Sequence, residues 1–524
     1  MDKNMVHWAD VTAHKIICQK GDKDAYTIAA GITPSGIVHI GNFREIMTND
    51  LVKRALEYRG KKVRFIYSWD DFDVFRKVPE GLPQQDKLKL ALRKPIVDVI
   101  DPFENHESYA RSNQIPVEEV VHKIGIHPEF IYQHSKYRAG HYAEQIKFAL
   151  EHTQEIKDIL NKHRDTPLSN DWLPVSVFSK SNGTDIVSNI KWDGEWTLSY
   201  ELENGNTESL NFKEGGNVKL KWRVDWPMRW KYEEVDFEPG GKDHSTKGGS
   251  YDTGKEIVTL WNFDAPTYIR YDFVSLKGRK GKMSSSKGNV VTIQDVLKVY
   301  EPEIVRYLFA GPRANAEFNI SFDLDVIKIY EDFDKCERVY YDIETLKSEK
   351  ETIKNNRTYE LSCIEKPKEN IPYQPSFRHL TNILLVNELD IDKTISYLEN
   401  ELKSKSDKLR LRTRAECAKY WLKNYAPEEF TFSVNSQNKC QLSTELKPLF
   451  NELAEKIESR EWSDNELHEE MYVLCTNHNV EHKEFFKNAY KILISKNKGP
   501  RLANFILEIG KERVSYLFRQ ASKI

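Results

Sequence analysis

The sequence predicts an α/β fold in which a Rossmann-type parallel sheet is split by an insertion and followed by an all-α C-terminal domain. Three observations predict it. A strand, a loop, a helix and a second strand follow one another over residues 25–69, a similar unit recurs over residues 235–276, and strand signals fade from about Phe322 onward. Alternating strands and helices are typical of parallel sheets, and amphipathic segments separated by polar breaks are typical of helical domains.

The first unit begins with the apolar run Ala25–Ile32, which a Pro/Gly loop follows. Asn42–Arg59 has apolar residues at helical spacing, and Lys62–Trp69 is rich in β-branched and aromatic residues. These patterns predict a helix and a second strand. Such units are right-handed and bind ligands at the carboxyl ends of their strands. The loop after the first strand is therefore a predicted ligand loop.

The second half of the sheet is predicted from Val235–Phe237, a helical stretch near Tyr251–Trp261 and a strand around Tyr268–Leu276. Between the two halves lie a Lys/His-rich helical region, roughly His134–His163, and Val175–Leu220, where short strand-like runs alternate with turn signals. This alternation predicts a small β-rich module inside the insertion.

The C-terminal part is predicted to be helical because segments such as Leu409–Tyr425, Glu445–Ile457 and Glu484–Lys496 are amphipathic. The polar stretch Lys347–Asn370 is the predicted linker. The predicted boundaries are 1–105 for the first half of the split domain, 106–230 for the insertion, 231–295 for the second half, 296–346 for a connecting helical region and 347–524 for the α-helical domain.

The amino-acid composition is typical of a water-soluble globular protein. The chain has 524 residues, of which 39% are hydrophobic and 30% charged, and it contains no apolar run of 18 residues. The N-terminus lacks the unbroken hydrophobic segment of a secretory signal, so we expect a cytoplasmic protein with no membrane segment. The six cysteines are widely spaced, which predicts reduced thiols. The net charge of −3 is uninformative about nucleic acid, because local basic patches decide RNA affinity.

The first chemical signature is Thr33–Asn42, TPSGIVHIGN, in the predicted ligand loop. A loop that opens a helix offers backbone N–H groups and the positive end of the helix dipole to a phosphate. Gly36 and Gly41 would let the backbone approach the ligand, and His39 would add a hydrogen-bond donor. The alternative is a Gly-rich tight turn with a surface histidine.

The second signature is Lys282–Asn289, KMSSSKGN, which supplies two lysines and three hydroxyls on a predicted loop after a strand. This composition suits a clamp that stabilises the charge developing on pyrophosphate. Alone, it is equally typical of a solvated basic turn. The occurrence of both signatures, each on its own half of a split α/β domain, favours a nucleotide site.

The two signatures, in this order, resemble the HIGH and KMSKS motifs of class I aminoacyl-tRNA synthetases. Within that class the chain resembles the class I lysyl-tRNA synthetases over nearly its whole length. The segments that carry the resemblance are HWAD (7–10), AGITPSG (30–36), HIGNFRE (39–45), WDDFDVFRKVP (69–79), WRVDWPMRW (222–230), DFEPGGKDH (236–244), YDFVSLKG (271–278), FDLDVIKIYEDFDK (322–335) and KGPRLANFI (498–506).

The resemblance implies catalytic roles for His39, Asn42, Lys282, Ser284 and Lys287. Asn42 stands where the motif has its second histidine, and Ser285 stands where KMSKS has its second lysine, so which lysine clamps the phosphates stays open. The implied ATP-binding set is Pro34, Gly36, His39, Gly41, Asn42, Lys282, Met283, Ser284 and Lys287.

The resemblance also implies a lysine pocket. Its residues are Gly31, Thr33, Asp71, Trp222, His244 and Tyr271. Aromatic faces can pack an aliphatic stem and attract an ammonium, and an ammonium taken out of water needs a carboxylate. The candidates are Asp70, Asp71, Asp73, Asp225 and Asp243, and each is also open to a role as a turn or helix cap. For Trp226 and Trp230 core packing is the favoured interpretation.

The implied reaction is adenylation of L-lysine by ATP carried with Mg²⁺, followed by transfer to the terminal adenosine of tRNA(Lys), with the 2′-hydroxyl as first acceptor. Residues 296–346 would contact the tRNA stem, and the helical domain would read the anticodon, for which Lys408–Tyr425 supplies Arg and aromatic side chains. We expect a monomer and no protein metal site. Phe178–Asp185 and Tyr200–Asn206 lack the Cys and His ligands of a zinc knuckle, so no structural zinc is predicted, and Trp192 and Trp196 are expected in the core of the module.

Three alternatives remain. A class I synthetase for another amino acid, such as glutamate, would share the ATP signatures but needs a cationic residue for the side chain. A HIGH-type nucleotidyltransferase is a single-domain enzyme and leaves the long C-terminal part unexplained. A catalytically silent paralogue would bind RNA without forming adenylate, although the retained ATP-site residues argue against it.

Overall fold

The computed structural model describes residues 5–278, 290–437 and 440–523. The chain forms two compact units. Unit 1 comprises Met1–Leu297, Pro302–Ile320 and Asp342–Pro367, and unit 2 comprises Lys298–Glu301, Ser321–Tyr341 and Lys368–Ile524. The finer division into five segments remains a prediction.

All the strands described belong to unit 1. They are β1 Ala25–Ile32, β2 Lys62–Trp69, β3 Glu129–Tyr132, β4 Val175–Val177, β5 Val187–Trp192, β6 Thr197–Leu202, β7 Thr207–Asn211, β8 Val218–Leu220, β9 Gly240–Gly241, β10 Arg270–Tyr271, β11 Val274–Leu276 and β12 Phe318–Ile320. The first two coincide with the strands predicted from apolar and β-branched runs.

The central sheet is parallel. β1 pairs with β2 from Ala25 opposite Lys62 to Ile32 opposite Trp69, and β2 pairs with β3. On the other side of β1, parallel bridges join Ile28 to Phe237 and Phe237 to Thr267, and the chain continues from these into the parallel pair β9 and β10. The order is therefore β3, β2, β1, residues 237–241 and residues 267–271. This arrangement confirms the Rossmann-type sheet assembled from two halves.

The helices along the chain as far as residue 310 are α1 Trp8–Lys20, α2 Ile40–Tyr58, α3 Gln85–Leu90, α4 Tyr109–Val121, α5 Gln133–Arg138, α6 Ala143–Glu151, α7 Thr153–Asn161, α8 Trp222–Tyr232, α9 Ser250–Val258, α10 Ile293–Leu297 and α11 Pro302–Ala310. α2 buries Phe43, Ile46, Met47 and Leu51, which lie at helical spacing. Burial of this face is the main stabilising contribution to the crossover, since a helix gains little from propensity alone.

The insertion contains the predicted β-rich module. β5, β6 and β7 form an antiparallel meander, and β4 pairs with β8 antiparallel. Leu198, Tyr200, Leu210 and Phe212 are its buried side chains. Trp192 and Trp196 were expected in this core, and they pack against it while remaining half-buried.

The remaining helices are α12 Asp325–Tyr340, α13 Glu349–Ser362, α14 Phe377–Val386, α15 Ile391–Tyr397, α16 Lys405–Asn424, α17 Leu446–Ser459, α18 Asp464–Asn477, α19 His482–Ile494, α20 Leu502–Ile509 and α21 Lys511–Lys523. All but α13 lie in unit 2 and confirm the all-α C-terminal domain. Its core includes Leu449, Phe450, Phe485 and Phe518. Among the described residues no helix has both the length and the apolar character needed to cross a membrane.

Two local predictions are wrong. The stretch Lys347–Asn370 is not a linker throughout, because it contains α13. Ser348 caps that helix by accepting a hydrogen bond from the Glu351 amide, and the buried Arg306 guanidinium donates to the Leu361 carbonyl at 2.9 Å. The strand expected over Tyr268–Leu276 is interrupted, since β10 and β11 pair with different partners.

Candidate active site

Two adjoining cavities lie at the carboxyl ends of β1 and β2. The larger has a volume of about 670 Å³ and the smaller a volume of about 70 Å³. Gly31, Asp70, Trp222 and His244 line both, so the cavities meet at these residues. A side chain on Gly31 would place its Cβ 2.9 Å from the Ser68 carbonyl oxygen, which explains the glycine. The predicted ligand loop forms one wall of the larger cavity.

His39 caps α2 at the mouth of the larger cavity. Its Nδ1 accepts hydrogen bonds from the amides of Gly41 at 3.1 Å and Asn42 at 3.3 Å, and the Asn42 Oδ1 accepts from the His39 amide at 3.4 Å. A Cβ on Gly41 would lie 2.9 Å from the imidazole ring, so only glycine lets the ring fold back onto the helix. Because Nδ1 accepts, the proton of the neutral ring lies on Nε2.

The helix terminus itself differs from the prediction. The Ile40 amide donates to the Val291 carbonyl at 2.8 Å, and the next two amides are taken by His39. The prediction that free first-turn amides hold a phosphate is therefore wrong for residues 40–42. The exposed cations Arg76 and Lys77, which sequence reasoning did not single out, line the larger cavity instead.

Thr33 lines the larger cavity and is held by Asp73, which follows β2 and is itself paired with Lys219 of β8. Its hydroxyl donates to Asp73 Oδ2 at 2.7 Å, and the Lys219 ammonium is ion-paired with the other carboxylate oxygen. Burial raises the pKa of Asp73, but Lys219 outweighs it and holds that pKa below its usual value. The carboxylate is therefore ionised and its charge is compensated.

The rest of the loop is tethered to α4. The Asn113 amide donates to the Pro34 carbonyl at 3.4 Å, and the Tyr109 hydroxyl donates to the Ser35 carbonyl at 3.1 Å. Gly36 lines the larger cavity, whereas Pro34 and Gly41 are not among the described residues that line it. Pro34 and Gly41 therefore shape the loop, and Gly36 faces the space that the loop encloses.

Three tryptophans on one face of α8 line the smaller cavity. The rings of Trp222 and Trp226 stack with centroids 5.2 Å apart, and Trp226 and Trp230 are 4.8 Å apart. The indole N–H groups of Trp226 and Trp230 donate to Glu238 at 3.0 and 2.6 Å. Core packing alone is thus the wrong interpretation of these two residues. His244 lies 6.0 Å from Trp222, and burial lowers its pKa, so the ring is neutral at pH 7.

Two glutamates line the smaller cavity, of which Glu238 is buried and Glu45 half-buried. Glu45 accepts from the Gly31 amide at 3.1 Å and from the Tyr271 hydroxyl at 2.7 Å. Burial raises the pKa of Glu45 to about 8, and burial also raises the pKa of Glu238. Within residues 5–278, 290–437 and 440–523, neither carboxylate has an ion-pair partner. Sequence reasoning missed both, although each lies in a segment of the resemblance.

The structure separates the five aspartates that were candidates for binding an ammonium. Asp70 lines both cavities and is paired with Arg229 at 2.6 Å. Asp71 contacts His134 Nδ1 at 2.6 Å and the Gln114 amide at 3.2 Å, and it is not among the described residues that line either cavity. The assignment of Asp71 to the pocket is therefore not supported by its position.

The other aspartates are engaged or distant. Asp73 is compensated by Lys219, and Asp225 contacts the Tyr137 hydroxyl and, at 3.2 Å, Arg229. Asp243 is exposed. Tyr271 is not among the described residues that line the smaller cavity. It contributes to this cavity by donating its hydroxyl hydrogen bond to Glu45.

The smaller cavity contains more acidic groups than its one cation can pair with. Arg229 is the single cation among the described residues that line it. Its guanidinium forms ion pairs with both Asp70 and Asp225. The carboxylates of Glu45 and Glu238 remain, held by neutral donors. Such a site is complementary to a ligand that brings its own positive charge.

Part of the predicted site cannot be placed. Lys282, Met283, Ser284 and Lys287 lie outside the described residues. Among the residues that are described, no group of three or more His, Cys, Asp or Glu side chains is arranged to hold a metal ion. The absence of structural zinc remains a prediction.

Comparisons with known proteins show the family of the chain. Residues 6–365 match the family model described as tRNA synthetases class I (K). The chain is 48% identical to the lysine–tRNA ligase of Borreliella burgdorferi over 511 residues, which cover 97% of this chain and 98% of that protein. It is 46% identical to the lysine–tRNA ligase of Treponema pallidum, covering 97% of each chain. It is 42% identical to that of Thermococcus kodakarensis, covering 97% of this chain and 98% of the relative.

Proposed function

The chain belongs to the family of class I (K) tRNA synthetases, and from this premise we propose that it ligates lysine to tRNA(Lys). It activates L-lysine with ATP to lysyl-adenylate and pyrophosphate, and it transfers the lysyl group to the 3′-terminal adenosine. The observation that carries this proposal is the presence of two carboxyl groups in the smaller cavity, Glu45 and Glu238, that are held by neutral donors and have no ion-pair partner among the described residues.

The charge of the smaller cavity favours lysine over glutamate as the substrate. A glutamate side chain would need an uncompensated cation, and the Arg229 guanidinium is already paired with Asp70 at 2.6 Å and Asp225 at 3.2 Å. A glutamate carboxylate would also enter beside Glu45 and Glu238, two acidic groups that disfavour a further negative charge whenever either is ionised. An ammonium in the same place compensates one carboxylate charge and can donate hydrogen bonds to both groups.

The connection between the cavities orients the substrate. The lysine carboxylate must reach ATP, so the α-carbon belongs where the two cavities meet, at Gly31 and Asp70. The aliphatic stem then packs against the Trp222–Trp226 stack. The ε-ammonium reaches Glu45 and Glu238, which line the smaller cavity and are not among the residues described around the larger one.

ATP belongs in the larger cavity. The His39 Nε2–H and the cations Arg76 and Lys77 would donate to its phosphates, and Lys282 and Lys287 remain the predicted clamp. A magnesium ion bound to the triphosphate would offset part of its charge. The cavity's own carboxylates do not fit a resident metal, since Asp70 is paired with Arg229 and Asp73 with Lys219, so no step is assigned to one.

The first step needs no general base, because the lysine carboxylate is ionised at neutral pH. Its oxygen attacks the α-phosphorus, and the bond to the bridging oxygen breaks so that pyrophosphate leaves with the electron pair. In the second step a ribose hydroxyl of the terminal adenosine attacks the acyl carbon, the bond from that carbon to the phosphate oxygen breaks, AMP leaves with the electron pair, and its phosphate takes up the hydroxyl proton. Catalysis by this chain is therefore mainly positioning and stabilisation of phosphate charge.

Pyrophosphate exchange tests the proposal directly. The intact protein is assayed with each of the twenty amino acids, with and without a tRNA(Lys) transcript. We expect exchange with lysine and none above background with glutamate. Lysine that is inert in both formats, or glutamate that is equally active, would overturn the proposal.

A further inference from the structure

One charged side chain of the insertion reaches the active site. Lys219 is the central residue of β8 and is buried, although lysine is rarely buried without a partner. Val218 and Leu220, on either side of it, belong to the same hydrophobic core as the buried side chains of the β-rich module. Because successive side chains of a strand point to opposite faces, Lys219 is directed away from that core. Its ammonium pairs with the carboxylate of Asp73, which lines the larger cavity.

The backbone of β8 holds Lys219 in register. β8 pairs antiparallel with β4 along its whole length. The Leu220 amide donates to the Tyr137 hydroxyl at 3.2 Å, and the Lys221 amide donates to the Pro174 carbonyl at 2.7 Å. The strand therefore fixes the point from which the Lys219 side chain extends toward the cavity.

The ion pair decides how the Thr33 hydroxyl is oriented. An ionised carboxylate only accepts hydrogen bonds, so Thr33 donates its single hydroxyl proton to Asp73 Oδ2 at 2.7 Å. The lone pairs of the Thr33 oxygen remain for a donor in the larger cavity, which Thr33 lines. A protonated Asp73 would instead donate to Thr33 and occupy that acceptor. Lys219 holds the pKa of Asp73 below its usual value against the effect of burial, so the first arrangement persists at neutral pH.

Lys219 is the cation on which the charge state of Asp73 depends. The other charged groups that act on Asp73 are Arg229 of α8 and Asp70 at the end of β2. Arg229 is already paired with Asp70 at 2.6 Å, so removal of Lys219 leaves Asp73 without an ion-pair partner among the described residues. The remaining ionisable side chains that line the larger cavity are His39, Arg76, Lys77 and His244.

The ligand group that suits the Thr33 oxygen is the α-ammonium of lysine. Phosphate and carboxylate oxygens cannot donate to it. Thr33 follows two residues after Gly31, where the two cavities meet and where the proposed function puts the α-carbon. The ribose hydroxyls of ATP are the other available donors, and binding of lysine without ATP distinguishes the two.

We propose that Lys219 is a positioning residue for lysine binding: it holds the Asp73 carboxylate against the Thr33 hydroxyl, so that the Thr33 oxygen accepts from the α-ammonium of lysine. The proposal rests on the proposed function, because it takes lysine as the substrate. It goes further by giving the insertion a direct part in the site, through a residue that the sequence did not single out.

The experiment measures the dissociation constant of the full chain for lysine by calorimetry from pH 6 to pH 8.5, without ATP. Lys219→Met lets Asp73 take up a proton, so at pH 6 its dissociation constant should be about tenfold that of the native protein, the effect of losing one hydrogen bond to a charged group. The ratio of the two constants should approach one at pH 8.5, as Asp73 ionises. Lys191→Met, which alters an exposed lysine of β5, is the matched control and should stay within twofold at every pH.

A double-mutant cycle tests whether Lys219 acts through Thr33. Thr33→Val removes the hydroxyl and should weaken lysine binding about tenfold at every pH. At pH 6 the double variant Lys219→Met/Thr33→Val should bind no more weakly than Thr33→Val alone, because both changes remove the same hydrogen bond. Additive losses, or a ratio for Lys219→Met that does not change with pH, would show that Lys219 only stabilises the fold and would overturn the proposal.

Lys219→Gln guards against loss of the fold in Lys219→Met, since its amide can still donate to Asp73. It lacks the charge, so it should show the same loss at pH 6 and the same recovery at pH 8.5. Lysine binding like that of the native protein in both variants at every pH would overturn this inference while lysine-dependent exchange stays intact. Failure of the proposed function looks different, since the native protein then neither binds nor activates lysine.

Discussion

Two regions of the molecule bury several carboxylates each and compensate their charge differently. In unit 2 the guanidinium of Arg414, whose side chain is 0% exposed, pairs with Glu301 at 2.5 Å and Asp334 at 2.8 Å. Beside it Arg410 pairs with Glu337 at 2.7 Å. Every carboxylate of this cluster has a resident cation, and its site is closed.

In the smaller cavity of unit 1, Glu45 is half-buried and Glu238 is buried, and both are held by neutral donors. Their partners are a backbone amide, a tyrosine hydroxyl and two indole N–H groups. Neutral hydrogen bonds recover only part of the lost hydration of a carboxylate. The pKa of Glu45 is therefore raised to about 8 by burial.

The difference separates a structural cluster from a ligand site. A closed cluster supplies its own counter-charge and contributes to the stability of the fold. An open site leaves the counter-charge to the ligand, so its unfavourable desolvation is relieved only on binding. Altering one member of each region should therefore affect stability in the first and lysine binding in the second.

Arg414→Met should have the largest effect, and the effect should be on folding. It leaves Glu301 and Asp334 buried with less counter-charge, which destabilises the fold by about 3–5 kcal/mol. Urea unfolding of the full chain measures the change in the transition of unit 2. Arg412→Ala, an exposed pair with Asp392, serves as the control and should change it by less than about 1 kcal/mol. Equal midpoints for Arg414→Met and the native chain would remove the distinction between the two regions.

Glu238→Gln should have the next largest effect, and the effect should be on lysine. Loss of the charged partner of the ε-ammonium should lower kcat/KM for lysine about a hundredfold, since a buried charge pair is worth about 2–5 kcal/mol. Stability should change by less than about 1 kcal/mol, because one lost indole hydrogen bond is offset by removal of an uncompensated charge.

Glu233→Gln provides the matched control for Glu238→Gln. Glu233 lines the same cavity but is already paired with Arg64 at 2.8 Å, so kcat/KM for lysine should fall less than threefold. Steady-state exchange kinetics with varied lysine measure both variants. If the two variants lose activity equally, the ammonium is not recognised by the unpaired carboxylate.

Much of the fold was predictable because local patterns decide it. The runs Ala25–Ile32 and Lys62–Trp69 became strands with those same bounds, since buried parallel strands are continuous apolar segments. The Lys347–Asn370 linker failed for a tertiary reason. This polar stretch contains α13, which is capped by Ser348 and has few buried residues. The helix packs against α11, and the local sequence does not indicate that contact.

The site was predictable in part. The residues that meet at the junction of the cavities include Gly31, Trp222 and His244, which the resemblance carries. The candidate carboxylates for binding the ammonium could not be ranked from the sequence, because the cations that pair with them are remote in sequence. The charge of Asp73 is compensated by Lys219, which is remote in sequence. Glu45 has no ion-pair partner among the described residues.

The last prediction concerns pH. Tyr271, Glu238, Asp70 and Tyr67 face Glu45, and burial raises its pKa to about 8. Below pH 8 the free protein therefore holds Glu45 mostly protonated, whereas an ammonium needs the ionised form. Lysine affinity should rise with pH, about tenfold between pH 6 and pH 7, while both ammonium groups of lysine stay charged.

Calorimetric titration of lysine in two buffers of different ionisation enthalpy measures this linkage. Close to one proton should be released per lysine bound at pH 7, because binding converts a protonated Glu45 to its ionised form. Glu45→Gln should release none and should show an affinity that is flat from pH 6 to pH 7. A native protein with flat affinity over that range would mean that Glu45 is already ionised before lysine arrives, and the open site would then resemble the closed cluster.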